Sequence, residues 1–465
     1  MRRLRVLALL VPAAAALAVA SSGGAKPELD ASWTSYGHDA QLTGFTDAPL
    51  FNAQVKGFAP VWKASLTGAV IASPLAARTS AQGLVVFAAT EAGNVYAIGD
   101  GGAVLWQKSI GTVLTNGNCG IYGVSSTGAI DTARGVLYVI GASGMLHALR
   151  LSDGSEAPGW PVRVVSRTRT EYVWGGLRLV GSTLYVPVAS YCDATDRRGV
   201  PAEGRLEALD VSNPSAAPAV FDPVPGADNL GGVWGWGGVA VSLDGGSLYT
   251  GIGNAEPDVD NGASDSMVEL SADLSETFAV DRPVSSVDGE DIDLGAAPVL
   301  FKPSGCPALL AANDKDGDLI VWRQDGLATG PYARIPLSDG VDAFVGAPSW
   351  SPITQMLYDS TATALKGSTR LDGTMALKVT AKCGFAKQWF AGTGDGSQPA
   401  PLVAGDLVAD TGGSKGGFVV ERAATGVVVW RFPTAAATLS PMIEVGNTLI
   451  GGDAGGHLYA FRPTR

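Results

Sequence analysis

Only three histidines serve the 465 residues, and their positions leave little room for a proton-relay nucleophile. His147 and His457 both fall inside a repeated phrase described below. His147 stands where other copies carry Tyr96 and Tyr459, and His457 fills a variable position, so both read as structural. His38, in Trp33-Thr34-Ser35-Tyr36-Gly37-His38-Asp39, takes a surface or packing role. A Ser-His-Asp relay therefore lacks a base, and no Gly-x-Ser-x-Gly elbow, phosphate loop or His-Glu-x-x-His motif is present. The acidic run Asn313-Asp314-Lys315-Asp316-Gly317-Asp318 has the composition of a calcium loop. However, Ala312 and Arg323 stand where its first and twelfth oxygen ligands belong. The run reads as a turn between strands.

The elements that must position any site are set by one degenerate phrase, Gly-x-(Val/Leu)-x-Ala-(Ile/Leu/Phe). Its best copies are Gly93-Asn94-Val95-Tyr96-Ala97-Ile98, Gly144-Met145-Leu146-His147-Ala148-Leu149, Gly204-Arg205-Leu206-Glu207-Ala208-Leu209 and Gly456-His457-Leu458-Tyr459-Ala460-Phe461. Looser copies start at Asp265, Gly317, Gly373 and Gly416, which makes eight in all. Their spacing of about 40 to 60 residues is that of propeller repeats. The apolar runs are short, rich in Val, Leu and Tyr, and bounded by turn residues, so each unit reads as strands. In unit one these are Ser73-Pro74-Leu75, Leu84-Val85-Val86-Phe87, Val95 to Ile98 and Val104-Leu105-Trp106, the four strands of one blade. Units open on small residues and Pro, as in Ala297-Pro298, Ala347-Pro348, Ala400-Pro401 and Ser440-Pro441. Such residues suit a strand crowded against a central channel. The last unit stops soon after Phe461 without a fourth strand, while Val61-Trp62-Lys63 resembles a fourth strand with no unit before it. Pairing the two ends closes the ring and removes its exposed edge. The expectation is an all-β, eight-bladed propeller of four-stranded blades over residues 59–465, with residues 21–58 wrapping it.

Arg2, Arg3 and Arg5 followed by an apolar stretch from Val6 to Val19 and by Ala18-Val19-Ala20 mark residues 1–20 as a signal peptide. About 14 apolar residues fall short of the roughly 20 that span a bilayer. The expected location is therefore secreted or cell-envelope, with no stable membrane span. Loss of that segment leaves 29 Lys and Arg against 44 Asp and Glu, which argues against a nucleic-acid partner. Four cysteines in an exported chain suggest disulfides. Neighbouring blades favour Cys119 with Cys192 and Cys306 with Cys383, among three possible connectivities. Their wide spacing argues against zinc.

The phrase Gly-x-(Leu/Val)-Tyr-Ala-Leu with a following Val-x-Trp resembles the repeats of pyrroloquinoline quinone (PQQ) proteins over nearly the entire mature chain. Three stretches look like the site-forming segments of quinoprotein alcohol dehydrogenases, nearest the polyvinyl alcohol dehydrogenase group. Trp234-Gly235-Trp236-Gly237-Gly238 with Tyr249-Thr250-Gly251-Ile252-Gly253-Asn254 implies Trp236 as the floor under a planar quinone and Asn254 as a calcium ligand. Asp291-Ile292-Asp293-Leu294-Gly295 implies Asp293 as catalytic base beside the metal. Asp314-Lys315-Asp316-Gly317 implies Lys315 at the reactive quinone oxygens. The family's glutamate metal ligand has Asp193 and Glu203 as its nearest counterparts, and its adjacent cysteine pair has none, since Cys119 stands alone. The roles are physically apt. An aromatic face stacks on a flat cofactor, oxygen donors suit Ca²⁺, a cation balances charge arriving on the quinone, and a carboxylate accepts the alcohol proton. The resemblance thus implies PQQ and Ca²⁺ as cofactors and an alcohol or polyol as substrate. It also implies a separate electron acceptor, because no Cys-x-x-Cys-His haem motif exists. The alternative is a quinone-free propeller that binds an envelope protein or carbohydrate.

Overall fold

A computed structural model describes residues 32–79, 81–116, 120–226, 229–256, 262–285, 293–338, 347–361, 372–392 and 399–465. The expected signal peptide and Cys119 lie outside these ranges. The chain is an eight-bladed β-propeller, with successive antiparallel sheets arranged in a ring. Blade one has the strands Leu75–Thr79, Gly83–Ala89, Asn94–Gly99 and Val104–Ser109 from the channel outward. Its middle strands are buried on both faces, Val85, Val86, Phe87 and Ala88 alike, because each blade is packed between two others. That is why these runs are continuously apolar rather than alternating. The outermost strand alternates, burying Trp106 and exposing its neighbours.

Fourth-strand tryptophans lock one blade to the next. The Trp106 indole N–H donates to the Leu151 carbonyl of blade two at 3.0 Å, and that of Trp389 in blade six donates to Ala423 of blade seven at 2.9 Å. Each ring lies on a turn glycine of the following blade, Gly154 and Gly426, where a Cβ would come within 2.6 Å of the indole. Blade eight repeats the packing on a turn glycine, though not the indole N–H bond, with a borrowed strand. Gly57–Ser65 pairs antiparallel with His457–Thr464, with Trp62 opposite Ala460, and Trp62 lies on Gly102 of blade one. The N-terminal strand thus closes the ring, as the complementary ends predict. Cys306 and Cys383 join blades five and six with Cα atoms 5.6 Å apart, and Cys192 is also disulfide-bonded.

Residues 33–46 run on the channel side of the inner strands and bond to every blade in turn. Trp33 bridges Ala76, and the Thr34 carbonyl accepts from Ile130 N–H at 2.8 Å. The buried Arg178 guanidinium donates to Ser35 Oγ and to the Tyr36 and Asp39 carbonyls. The carbonyls of Ala40, Gln41, Thr43 and Gly44 accept from the N–H groups of Val241, Leu300, Trp350 and Val403, and Thr46 Oγ1 reaches Glu444. Phe45–Thr46 adds a parallel strand to the inner edge of blade seven. We call this segment the strap.

Candidate active site

Turns between second and third strands, and connections between blades, emerge at the same end of a propeller ring. The site residues come from these segments. Asp193 lies between the second and third strands of blade three, Asn254 in the corresponding turn of blade four and Lys315 in that of blade five. Trp234 and Trp236 lie in the connection from blade three to four, and Asp293 in that from four to five. They meet around one cavity of about 300 Å³, whose lining includes Asp193, Trp234, Trp236, Asn254, Asp293 and Lys315. All five residues singled out from the sequence as base, cofactor or metal contacts are therefore brought together. Glu203 pairs instead with Arg167 at 3.5 Å.

At the centre is an interlocked trio. Asp293 is only 2% exposed. One of its oxygens takes the Lys315 ammonium at 2.7 Å, and the other accepts from the Trp234 indole N–H at 2.8 Å. The same ammonium sits 4.7 Å from the centre of the Trp234 ring, a cation–π contact. The indole lies so close over Gly295 that a Cβ there would fall 1.7 Å from Cε2, so the glycine is a steric requirement. Ion pairing, hydrogen bonding and the aromatic face together fix the carboxylate against the wall of the cavity.

The Lys315 turn is itself stiffened by carboxylates. Asp316 and Asp318 both pair with Arg334, at 3.1 and 3.3 Å, and Asp316 Oδ1 accepts from the Asp318 N–H. The acidic run is thus a β-turn whose charge is balanced by arginine. The Asp314 carboxyl is pushed up to about 7, first by burial and then by Asp316, with Asp293 adding to the rise.

Trp174 and Trp236 also line a second, larger cavity of about 860 Å³, walled by apolar groups such as Ile71, Val113 and Leu439. Glu91 stands in this wall, accepting from Gly123 N–H and Ser125 Oγ at 2.5 and 2.6 Å. Burial raises its carboxyl above the usual range. Away from the cavity, Trp236 packs against a cluster that includes Tyr36 and Leu42 of the strap with Leu294 and Ala296.

Sequence reasoning passed over Trp234, Trp174 and Glu91. A signal for Glu91 exists in the repeat register, because it stands two residues before the phrase glycine Gly93, as Lys315 does before Gly317. In the other clear copies that position holds Ala142, Ala202 and Ala454.

The oxygens of Asn254, Asp193 and Asp293 are of the class that holds Ca²⁺, with Asp193 Oδ1 also accepting from Ser190 Oγ at 2.6 Å. Among the described residues, no group of three or more His, Cys, Asp or Glu side chains is gathered as a metal centre. A cation here would depend on the Asn254 amide and on ligand oxygens.

No family model and no curated protein matches the sequence. Solved structures do. A quinohemoprotein alcohol dehydrogenase from Comamonas testosteroni superposes with a TM-score of 0.73 at 15% identity, over 93% of this chain and 80% of that one. A europium-containing methanol dehydrogenase gives 0.69 at 15% identity, over 93% and 98%. BamB from Moraxella catarrhalis gives 0.57 at 15% identity, over 87% and 99%. At such identity the likeness is one of fold, and the site must speak for chemistry.

Proposed function

We propose that the chain is a quinone-dependent dehydrogenase that binds PQQ against Trp236, with Ca²⁺ beside it, and oxidises an alcohol. The observation that carries this reading is the convergence of the Asp293–Lys315–Trp234 trio with Trp236, Asn254 and Asp193 on one cavity. A scaffold has no need to bury a carboxylate against a lysine at the mouth of its channel. A buried, partnered charge pair lining a cavity is the kind of feature that marks a candidate site.

The residues fit the group. Two tryptophans shared by adjoining cavities present apolar walls to a flat ring system. Lys315 supplies the positive charge that an anionic cofactor requires. When bound, PQQ supplies a two-electron acceptor for the carbon-bound hydrogen of the alcohol. Asp293 accepts the hydroxyl proton on a carboxylate oxygen, and Lys315 holds that carboxylate in place until the proton arrives. Asn254, with Asp193, provides oxygen donors for the cation. The electrons leave through a separate acceptor, which an assay replaces with a dye.

Calorimetric titration of the protein with PQQ in excess Ca²⁺, followed by dye reduction with a panel of primary alcohols and polyols, tests the reading. Saturable binding with alcohol-dependent dye reduction is expected. Absence of both would return the protein to a quinone-free binding propeller.

A further inference from the structure

A third cavity, of about 600 Å³, lies at the opposite end of the ring. It is built from turns joining first to second strands and third to fourth strands, which emerge away from the site described above. Arg78 ends the inner strand of blade one, Arg134 lies in the first turn of blade two, and Arg150 ends that blade's third strand. All three line the cavity together with Tyr138 and Trp160, and no acidic side chain of the described residues does. This is unexpected in a chain of net charge −12, where scattered pairing would be the default.

The arginines are arranged rather than accidental. Arg134 Nη1 is held by Asp131 at 2.7 Å, and Arg150 Nη1 donates to Ser155 Oγ and the Glu156 carbonyl, each at 3.0 Å. Each guanidinium is thus oriented through one nitrogen, leaving others to serve a ligand, since arginine carries five N–H donors. Arg78 is exposed, and its guanidinium makes no ion pair or hydrogen bond with the described residues. The Trp160 ring packs on Tyr138 at 5.3 Å between centroids, making an aromatic platform beside the cations. The hydroxyl-bearing Thr132 and Ser152 complete the wall.

We propose that this cavity binds a carboxylate-bearing sugar, a uronic acid or the end of an acidic oligosaccharide. Planar guanidinium groups match a carboxylate fork-to-fork, an indole face takes the apolar face of a sugar ring, and hydroxyl side chains match its hydroxyls. Negative charge elsewhere on the chain repels extended polyanions such as nucleic acid but tolerates a small acid. The assignment is independent of the quinone reading, because it rests on different residues at the other end of the ring.

The test is calorimetry of the full chain with glucuronate, trigalacturonate, glucose and sulfate. Glucuronate or trigalacturonate should bind, whichever is the natural size, with affinity that falls as salt is raised. Glucose and sulfate should bind at least about tenfold more weakly, because each lacks one half of the recognition. Arg78→Gln should weaken glucuronate binding about tenfold or more while leaving the melting temperature and any PQQ binding unchanged. Arg150→Lys should do so less completely, keeping charge but losing the fork. The proposal is overturned if neither acid binds at millimolar concentration, if sulfate binds as well as glucuronate, or if Arg78→Gln binds like the wild type.

Discussion

At the scale of single residues, Asp293 and Lys315 are coupled, so their variants should separate binding, turnover and stability. Asp293→Asn keeps the shape that meets Trp234 but cannot accept a proton. Turnover should fall by about 10²-fold or more while PQQ affinity changes little, measured by dye reduction beside calorimetry. Trp236→Ala should do the reverse, weakening quinone binding about tenfold through loss of a stacking surface. Lys315→Met leaves a carboxylate that is 2% exposed without its cation, at a cost of about 3 kcal/mol. The double variant Lys315→Met/Asp293→Asn should recover most of that loss in a urea titration. If the single variant melts like the wild type, the pair contributes nothing to holding the site. Trp236 is legible in the sequence as the second of two tryptophans, whereas Trp234 is the one that grips the carboxylate. Nothing in a Trp-Gly-Trp pattern tells which ring will lie over a glycine contributed by the next connection.

At the scale of elements, Trp62 belongs to a strand that precedes its own blade by some four hundred residues, yet it packs on a turn glycine of the next blade as Trp106 and Trp389 do, without their indole N–H bond. Trp62→Ala should therefore destabilise the ring by about 3 kcal/mol, comparable to Trp106→Ala, read from urea midpoints. An unchanged midpoint would mean the strand is an appendage. Reducing Cys306–Cys383 should lower stability by about 2 to 4 kcal/mol without opening the ring, because closure is by hydrogen bonding between Gly57–Ser65 and His457–Thr464. The repeat phrase made the third strands and the closing strand legible, since their periodicity is local and their partners repeat. The strap was not legible. Its residues 33–46 make a few bonds to each blade, with partners scattered from Ala76 to Glu444, and such contacts leave no period in the sequence.

For the whole molecule, buried acids set the response to pH. Burial pushes Asp359 up to about 7, opposed by its bond from Asn313 and reinforced by Asp410, and Asp314 is raised to about 7 as well. Both keep a proton in the folded chain at pH values where the unfolded chain, titrating near 3.8, has lost it. The folded state then binds more protons, so stability should fall as pH rises from about 4 to about 7 and level off above. Asp359→Asn keeps the Asn313 partner and should flatten that decline in urea midpoints taken at pH 5 and pH 8. An identical slope in wild type and variant would exclude Asp359 as a source. Finally, the strap and the closing strand give the molecule an order of assembly. Both precede the blades in the sequence, yet neither has its full set of partners until blade eight is made, because the strap ends at Glu444 and the strand waits for His457–Thr464. Blades completed early must hold their edges open. The ring can therefore close only once blade eight has been made, so its closure is the last topological event of folding.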